Sequence, residues 1–146
     1  MGQLNIIVSD RATIEAGILV RSSYVLISIH DPYKPRPRVP KQSGLRDVLY
    51  LAFHDAEPSV SLALPDGVRL MTALHAEQIV RFVEKHRGQV GAVVVHCEQG
   101  MSRSPAVAVG IALLIGQPAE RFLNRYQPNQ HVLDRMRDAL RSLRAS

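Results

Sequence analysis

"VVVHCEQGMSRSPAVAVG", residues 93–110, holds the only cysteine of the 146-residue chain. With the two residues before it, "GAVVVH" (91–96) is an almost wholly apolar run, the pattern of a strand buried on both faces of a sheet. A short polar segment follows Cys97, then Arg103, Ser104 and Pro105, then a run of small apolar residues. Proline is tolerated in the first turn of a helix, so a helix is expected from about Arg103 or Ser104 to about Gly116. It is apolar on every side and should lie buried at the centre of the molecule.

Outward from that stretch, strands and helices alternate. "LNIIV" (4–8), "YVLISI" (24–29) and "DVLYLAF" (47–53) read as strands. "RATIEAGIL" (11–19) reads as a short helix or helical turn. A long helix is expected over residues 69–87, with Met71, Leu74, Ile79, Phe82 and Val83 at helical spacing and Gly88 as its C-terminal cap. Two more helices are expected at 118–126 and 130–144, the last turning Leu133, Met136, Leu140 and Leu143 inward. "HDPYKPRPRVPKQSG" (30–44) carries four prolines and four Lys or Arg residues and must be a loop. It reads as a solvated loop, a basic rim that draws in anions, or a Pro-rich ligand for a partner. A second loop spans 54–67. The alternation predicts an α/β fold: a mostly parallel sheet of about four to five strands with helices on both faces. No internal repeat or composition boundary interrupts it, so a single domain over residues 1–146 is expected.

Composition narrows the function classes. The net charge is +5, and only Lys34, Lys41 and Lys85 of the 18 basic residues are lysines. Arginine favours planar, doubly bonded partners such as phosphate. Nucleic acid is disfavoured: there is no zinc pattern, no RNA-binding signature and no tryptophan for a stacking platform. The histidines and the single cysteine show no metal spacing, so neither a metal nor another cofactor is expected. One cysteine forms no internal disulfide and fits a reducing compartment. The N-terminus lacks a secretory pattern, and the longest apolar run, 106–116, is too short for a bilayer. These features point to a cytoplasmic protein without membrane insertion.

Cys97 falls at the C-terminal end of its strand, where ligands bind in α/β sheets. The backbone N–H groups of Glu98, Gln99, Gly100, Met101 and Ser102 can wrap around one centre, and the following helix N-terminus adds its dipole; together they make an anion site. Gly100 permits the sharp turn. Thiols beside helix N-termini and arginine ionise readily, and the thiolate is the nucleophile. The Arg103 fork can hold two oxygens of a phosphoryl group. Ser104 can donate a hydrogen bond to the sulfur, and His96 can brace the turn. Glu98 should point away from the anion, since a carboxylate facing it would repel substrate.

The pattern H-C-x5-R-S at 96–104, followed by a small-residue helix, resembles the signature of the cysteine-based protein tyrosine phosphatases, most of all the dual-specificity branch. The resemblance implies hydrolysis of a phosphorylated protein or another phosphomonoester through a phosphocysteine at Cys97, with Arg103 and the 98–103 segment holding the phosphate. It also implies a supporting role for Asn129, in the Pro-Asn stretch of "QPNQHVL" (127–133). The family takes its general acid from an upstream loop. Asp55, just past the third strand, fits the dual-specificity arrangement. Asp66, in "LPDG", is the alternative, although Pro-Asp-Gly is also an ordinary turn. Two other readings of the cysteine loop remain: a rhodanese-like sulfurtransferase, and a phosphate-reading module without turnover. Phosphotyrosine, phosphoserine or phosphothreonine, a phosphoinositide and an RNA 5′-phosphate all stay open as substrates.

Overall fold

The computed structural model describes residues 3–58 and 64–145. Its elements run β1 (Asn5–Asp10), α1 (Arg11–Ala16), β2 (Tyr24–His30), β3 (Leu45–Ala52), α2 (Ala73–His86), β4 (Ala92–Cys97), α3 (Arg103–Ile115), α4 (Glu120–Arg125) and α5 (Gln130–Ala145). The four strands form one sheet in the order β1-β4-β2-β3, and every pairing is parallel. The central strands β2 and β4 are buried along their whole length, in keeping with their mostly apolar composition.

Parallel pairing places all four C-terminal strand ends on one edge. Asp10 lies in register with Cys97, and Ser28 with His96. Asp31 and Asp55 follow β2 and β3 at the same edge. The two sheet faces are covered unequally. One packs against α2, α3 and α5 in the main core, where Ile27, Val93, Val95, Ile79, Ile111 and Met136 are fully enclosed. The other carries a smaller core in which Ile14 of α1 meets Tyr24, Leu26 and Val94 under connecting segments that supply Ile18, Val20 and Val39. Helices therefore do lie on both faces, but only one short helix serves the second.

Helix α3 is buried without interruption from Arg103 to Ala112. Gly110 lets α5 approach it: a Cβ there would meet Met136 Cε at 2.6 Å. An added methyl in such a contact costs about 1–3 kcal/mol.

Helix α2 corrects the expected boundaries. It begins at Ala73, because Thr72 caps it through the His75 N–H and the His75 ring accepts from the Thr72 N–H. Met71 is buried, but it precedes the helix. Leu74 is 61% exposed and Leu143 47% exposed, so neither belongs to the core. The cap of α2 is Arg87 in ordinary helical geometry, not Gly88.

The 31–44 segment is a loop, as expected, and it opens with a tight turn. The Lys34 N–H donates to Asp31 O, Pro32 takes the second position, and Tyr33 takes the third with φ +69°. That position favours glycine, and a residue with a Cβ is held there at a cost of about 1–2 kcal/mol. Tyr33 is the sole non-glycine with positive φ among the described residues.

Candidate active site

The segment after β4 closes around a cavity of about 630 Å³ at the C-terminal strand edge. Its wall includes Asp31, His54, Asp55, Cys97, Ser102 and Arg103. Gly100 sets the loop: its φ is +72°, and a Cβ would lie 2.7 Å from Ser9 O. Both observations require glycine there.

Cys97 is buried with its Sγ 3.1 Å from Ser104 Oγ. Ser104, expected to donate to the sulfur, is thus placed beside it. His96 sits beneath the loop, out of reach of the cavity. Its Nδ1 lies 3.1 Å from Cys97 O, which can only accept, so Nδ1 carries the proton and Nε2 accepts from the Ser28 hydroxyl at 2.7 Å. Burial is the main reason that His96 titrates below its ordinary range. It is a neutral brace that fixes the carbonyl of the cysteine.

Arg103 is almost wholly buried. Its Nη1 donates to Asp31 Oδ1 at 2.7 Å and to Phe53 O at 2.8 Å. Its Nε is buried with no partner. A buried guanidinium N–H without an acceptor is costly, and a bound anion would supply the acceptor. Ser102, at the N-cap of α3, makes no side-chain cap bond. Its hydroxyl donates instead to Asp55 Oδ1 at 2.9 Å, leaving the first-turn N–H groups of α3 for another acceptor.

The other site residues separate clearly. Asp55 lines the cavity and also accepts from Asn129 Nδ2 at 2.8 Å. Asn129 ties the loops together: its N–H donates to Ser102 O at 3.0 Å, and its Oδ1 accepts from Val132 N at the start of α5. Gln127 N–H holds Met101 O at 3.0 Å in the same way. Asp66 stands in an exposed turn in which Val68 N–H donates to Pro65 O, and it does not line the cavity. Glu57 is held at the start of α5 by the Gln130 N–H. His54 accepts from Arg69 N at 2.9 Å and pins the far end of its loop. Glu98 lines the cavity, but its carboxylate is held by Arg11 Nη1 at 3.0 Å. Gln99 and Met101 complete the wall, with Met101 partly exposed.

Asp31 was absent from the sequence-derived site. It follows a buried parallel strand directly, as Asp55 nearly does, and that placement was the available signal. Burial works to raise its carboxyl, but the Arg103 hydrogen bond and charge, with Lys34 at 3.3 Å, hold it below the ordinary range. Among the described residues no group of three His, Cys, Asp or Glu side chains could hold a metal ion. No helix among them is long and apolar enough to cross a membrane.

The fold is shared with solved structures described as tyrosine phosphatase-like and dual-specificity phosphatase proteins. Among solved structures, it matches the human tyrosine phosphatase-like serine/threonine/tyrosine-interacting protein at 16% identity and a TM-score of 0.61, over 97% of this chain and 94% of that one. It also matches human DUSP28 (17%, 0.58, over 96% and 94%). A third match is PTPMT1 (16%, 0.55, over 97% and 92%). At these identities the likeness is one of fold. No protein-family model and no curated protein matches the sequence.

Proposed function

We propose that the chain is a cysteine-dependent phosphomonoester hydrolase of the tyrosine or dual-specificity phosphatase type. The observation that carries this reading is the buried, unpartnered Nε of Arg103 beside a cavity that also holds Cys97 and Asp55. The site has a nucleophile, an anion receptor and a carboxylic acid on one wall.

In this reading the Cys97 thiolate attacks phosphorus and forms the S–P bond as the ester P–O bond breaks. Arg103 and the 98–103 N–H groups hold the phosphoryl oxygens. Asp55 gives its proton to the departing oxygen, then takes one from the water that hydrolyses the phosphocysteine. The Ser104 hydroxyl donates to the sulfur and eases its departure. The substrate is a phosphorylated protein or another phosphomonoester. The single, buried cysteine suits a reducing, cytoplasmic setting.

The test is hydrolysis of 4-nitrophenyl phosphate. Cys97→Ser should reduce it to background, and Arg103→Ala should lower kcat/KM by about 10²–10³-fold. Full activity in Cys97→Ser would falsify the mechanism. Vanadate binding with no turnover by the unmodified chain would instead assign a phosphate-reading module. Thiocyanate release from thiosulfate and cyanide would assign a sulfurtransferase.

A further inference from the structure

Two consecutive residues at the start of α5 hold three consecutive residues of the loop that carries Asp55. Asn129 Nδ2 donates to Asp55 Oδ1 at 2.8 Å and to Ala56 O at 3.2 Å. The Gln130 N–H donates to Glu57 Oε1. On the other side, the His54 N–H donates to Arg69 O at 2.7 Å and the His54 ring accepts from Arg69 N at 2.9 Å. Every residue from His54 to Glu57 is thus tied to another part of the chain. The ties differ in one respect. Ser102 and Asn129 bond Asp55 through the carboxyl that must change protonation state in the reaction proposed above. Glu57 is exposed and bonds through its own carboxylate, so its grip does not depend on the state of Asp55. Helix α5 is a suitable anchor. It spans 16 residues and has no acidic residue in its first turn, so the positive end of its dipole is left for a carboxylate from elsewhere. The helix is packed on α3 through Met136, against Gly110, and α3 carries Arg103 and Ser104.

Resting on the phosphatase reading, we infer that Glu57 is a positioning residue for the general acid: seated on the N-terminus of α5, it keeps Asp55 on the cavity wall through both halves of the reaction. Glu57 does not line the cavity that holds Cys97, so it touches no reacting atom. It acts through the two residues between it and the acid. When Asp55 gives up or regains its proton, its bonds to Ser102 and Asn129 must rearrange, and the Glu57 bond does not. The nucleophile and the acid thereby share one reference, since the helix that anchors Glu57 packs on the helix that begins at Arg103.

Proton delivery matters most for a basic leaving group and least for an acidic one. Phenyl phosphate and 4-nitrophenyl phosphate differ in that respect and little in shape, so the pair tests the inference on the full chain. Glu57→Ala should lower kcat on phenyl phosphate by about 10- to 100-fold, up to the cost of misplacing a catalytic group by about 1 Å. Hydrolysis of 4-nitrophenyl phosphate, whose phenolate departs with little help, should stay within about threefold. Inhibition by orthovanadate should be unchanged, because the anion site keeps Arg103 and the loop N–H groups. Glu57→Gln retains an oxygen for the Gln130 N–H and should recover most of the phenyl phosphate rate. Equal losses on both esters with weaker vanadate inhibition overturn the inference, since that is the signature of a structural role. An unchanged rate on phenyl phosphate overturns it and leaves the phosphatase reading intact. Glu57→Gln as slow as Glu57→Ala also overturns it, because the restored bond would then not place the acid. If Asp55→Asn slows both esters equally, Asp55 is not the acid and the inference falls while the nucleophile stands. If the unmodified protein hydrolyses neither ester, both readings fail.

Discussion

The same dipeptide ends two neighbouring strands. His30-Asp31 closes β2, and His54-Asp55 follows β3 at the same edge of the sheet. Both carboxylates line one cavity, but their partners differ in kind. Asp31 accepts from Arg103 and Lys34, both cations. Asp55 accepts from Ser102 and Asn129, both neutral. A carboxylate clamped between cations stays ionised and has no proton to give. Protonating it would also strip a buried guanidinium of its counter-charge. A carboxylate held by a hydroxyl can carry the proton, because the Ser102 hydroxyl can turn from donor to acceptor. On the phosphatase reading, environment rather than residue type would fit Asp55 for the acid and Asp31 for positioning.

Exchanging the two roles is the most direct way to break this comparison. Asp55→Asn should lower kcat toward an alkyl phosphate by about 10²–10⁴-fold, the range of general acid catalysis. Asp31→Asn keeps an acceptor for Arg103 but loses the charge, and it should lower kcat/KM by only about tenfold, the worth of one charge-assisted hydrogen bond. A larger loss of kcat in Asp31→Asn than in Asp55→Asn, read from steady-state kinetics on the same alkyl phosphate, would transfer the acid role to Asp31.

How far the sequence reveals this site follows from which constraints are local. The Cys97–Ser104 segment was legible because strand, glycine turn and helix start are consecutive, and each imposes a residue type on its own. Strands β2 and β4 were legible because burial on both faces leaves mostly apolar residues, with Ser28 and His96 satisfying each other between them. Asp31 was not, because its role depends on Arg103, 72 positions away. Which of Asp55 and Asp66 lines the cavity also needed the fold: Asp55 stands just past the end of β3 on its wall, whereas Asp66 lies in an exposed turn away from it. Helix α2 starts later than its pattern suggests for a related reason. Met71 continues the apolar spacing, but Thr72 and His75 form the capping box that starts the helix at Ala73. Leu74 and Leu143 sit at helical spacing with the core residues yet face away from it, a matter of where the neighbouring elements stop.

A smaller effect sharpens the comparison through stability. Because the folded Asp31 carboxyl titrates below its ordinary value of about 3.9, the unfolded chain binds more protons between the two values. Its contribution is therefore present above about pH 3.9 and lost as pH falls through the folded value. His30, His75 and His96 are each held below their ordinary range, mainly by burial. Their neutral forms suit the fold, so stability is full above about pH 6.5 and declines as pH drops below it. Urea midpoints across pH should thus fall in two stages. Asp31→Asn should shrink the lower stage, to which Glu15, also held below its ordinary range by the Arg38 N–H and Arg11, contributes as well, and leave the upper stage in place. His30→Asn should shrink only the upper, because the buried His30 Nδ1 has no partner to offset protonation. A single-stage loss in the unmodified protein contradicts the assignment.

The smallest effect concerns the third carboxylate of the cavity wall. Glu98 stands in the loop between β4 and α3, where on the phosphatase reading an unheld negative charge would oppose an incoming dianion. Arg11 draws it aside at 3.0 Å and also reaches Glu15 and Pro35 O. Arg11 thus does for Glu98 what Arg103 and Lys34 do for Asp31: a cation makes a carboxylate tolerable beside an anion site. Arg11→Ala should raise the KM for an aryl phosphate by about two- to fivefold, the range of a partly exposed pair. If the cause is the freed charge, Arg11→Ala/Glu98→Gln should recover most of that loss, since glutamine fills the same space without repelling phosphate. If the cause is a loosened 33–38 loop, the second substitution should recover nothing. The double-mutant cycle separates the two, because only the electrostatic account couples the positions.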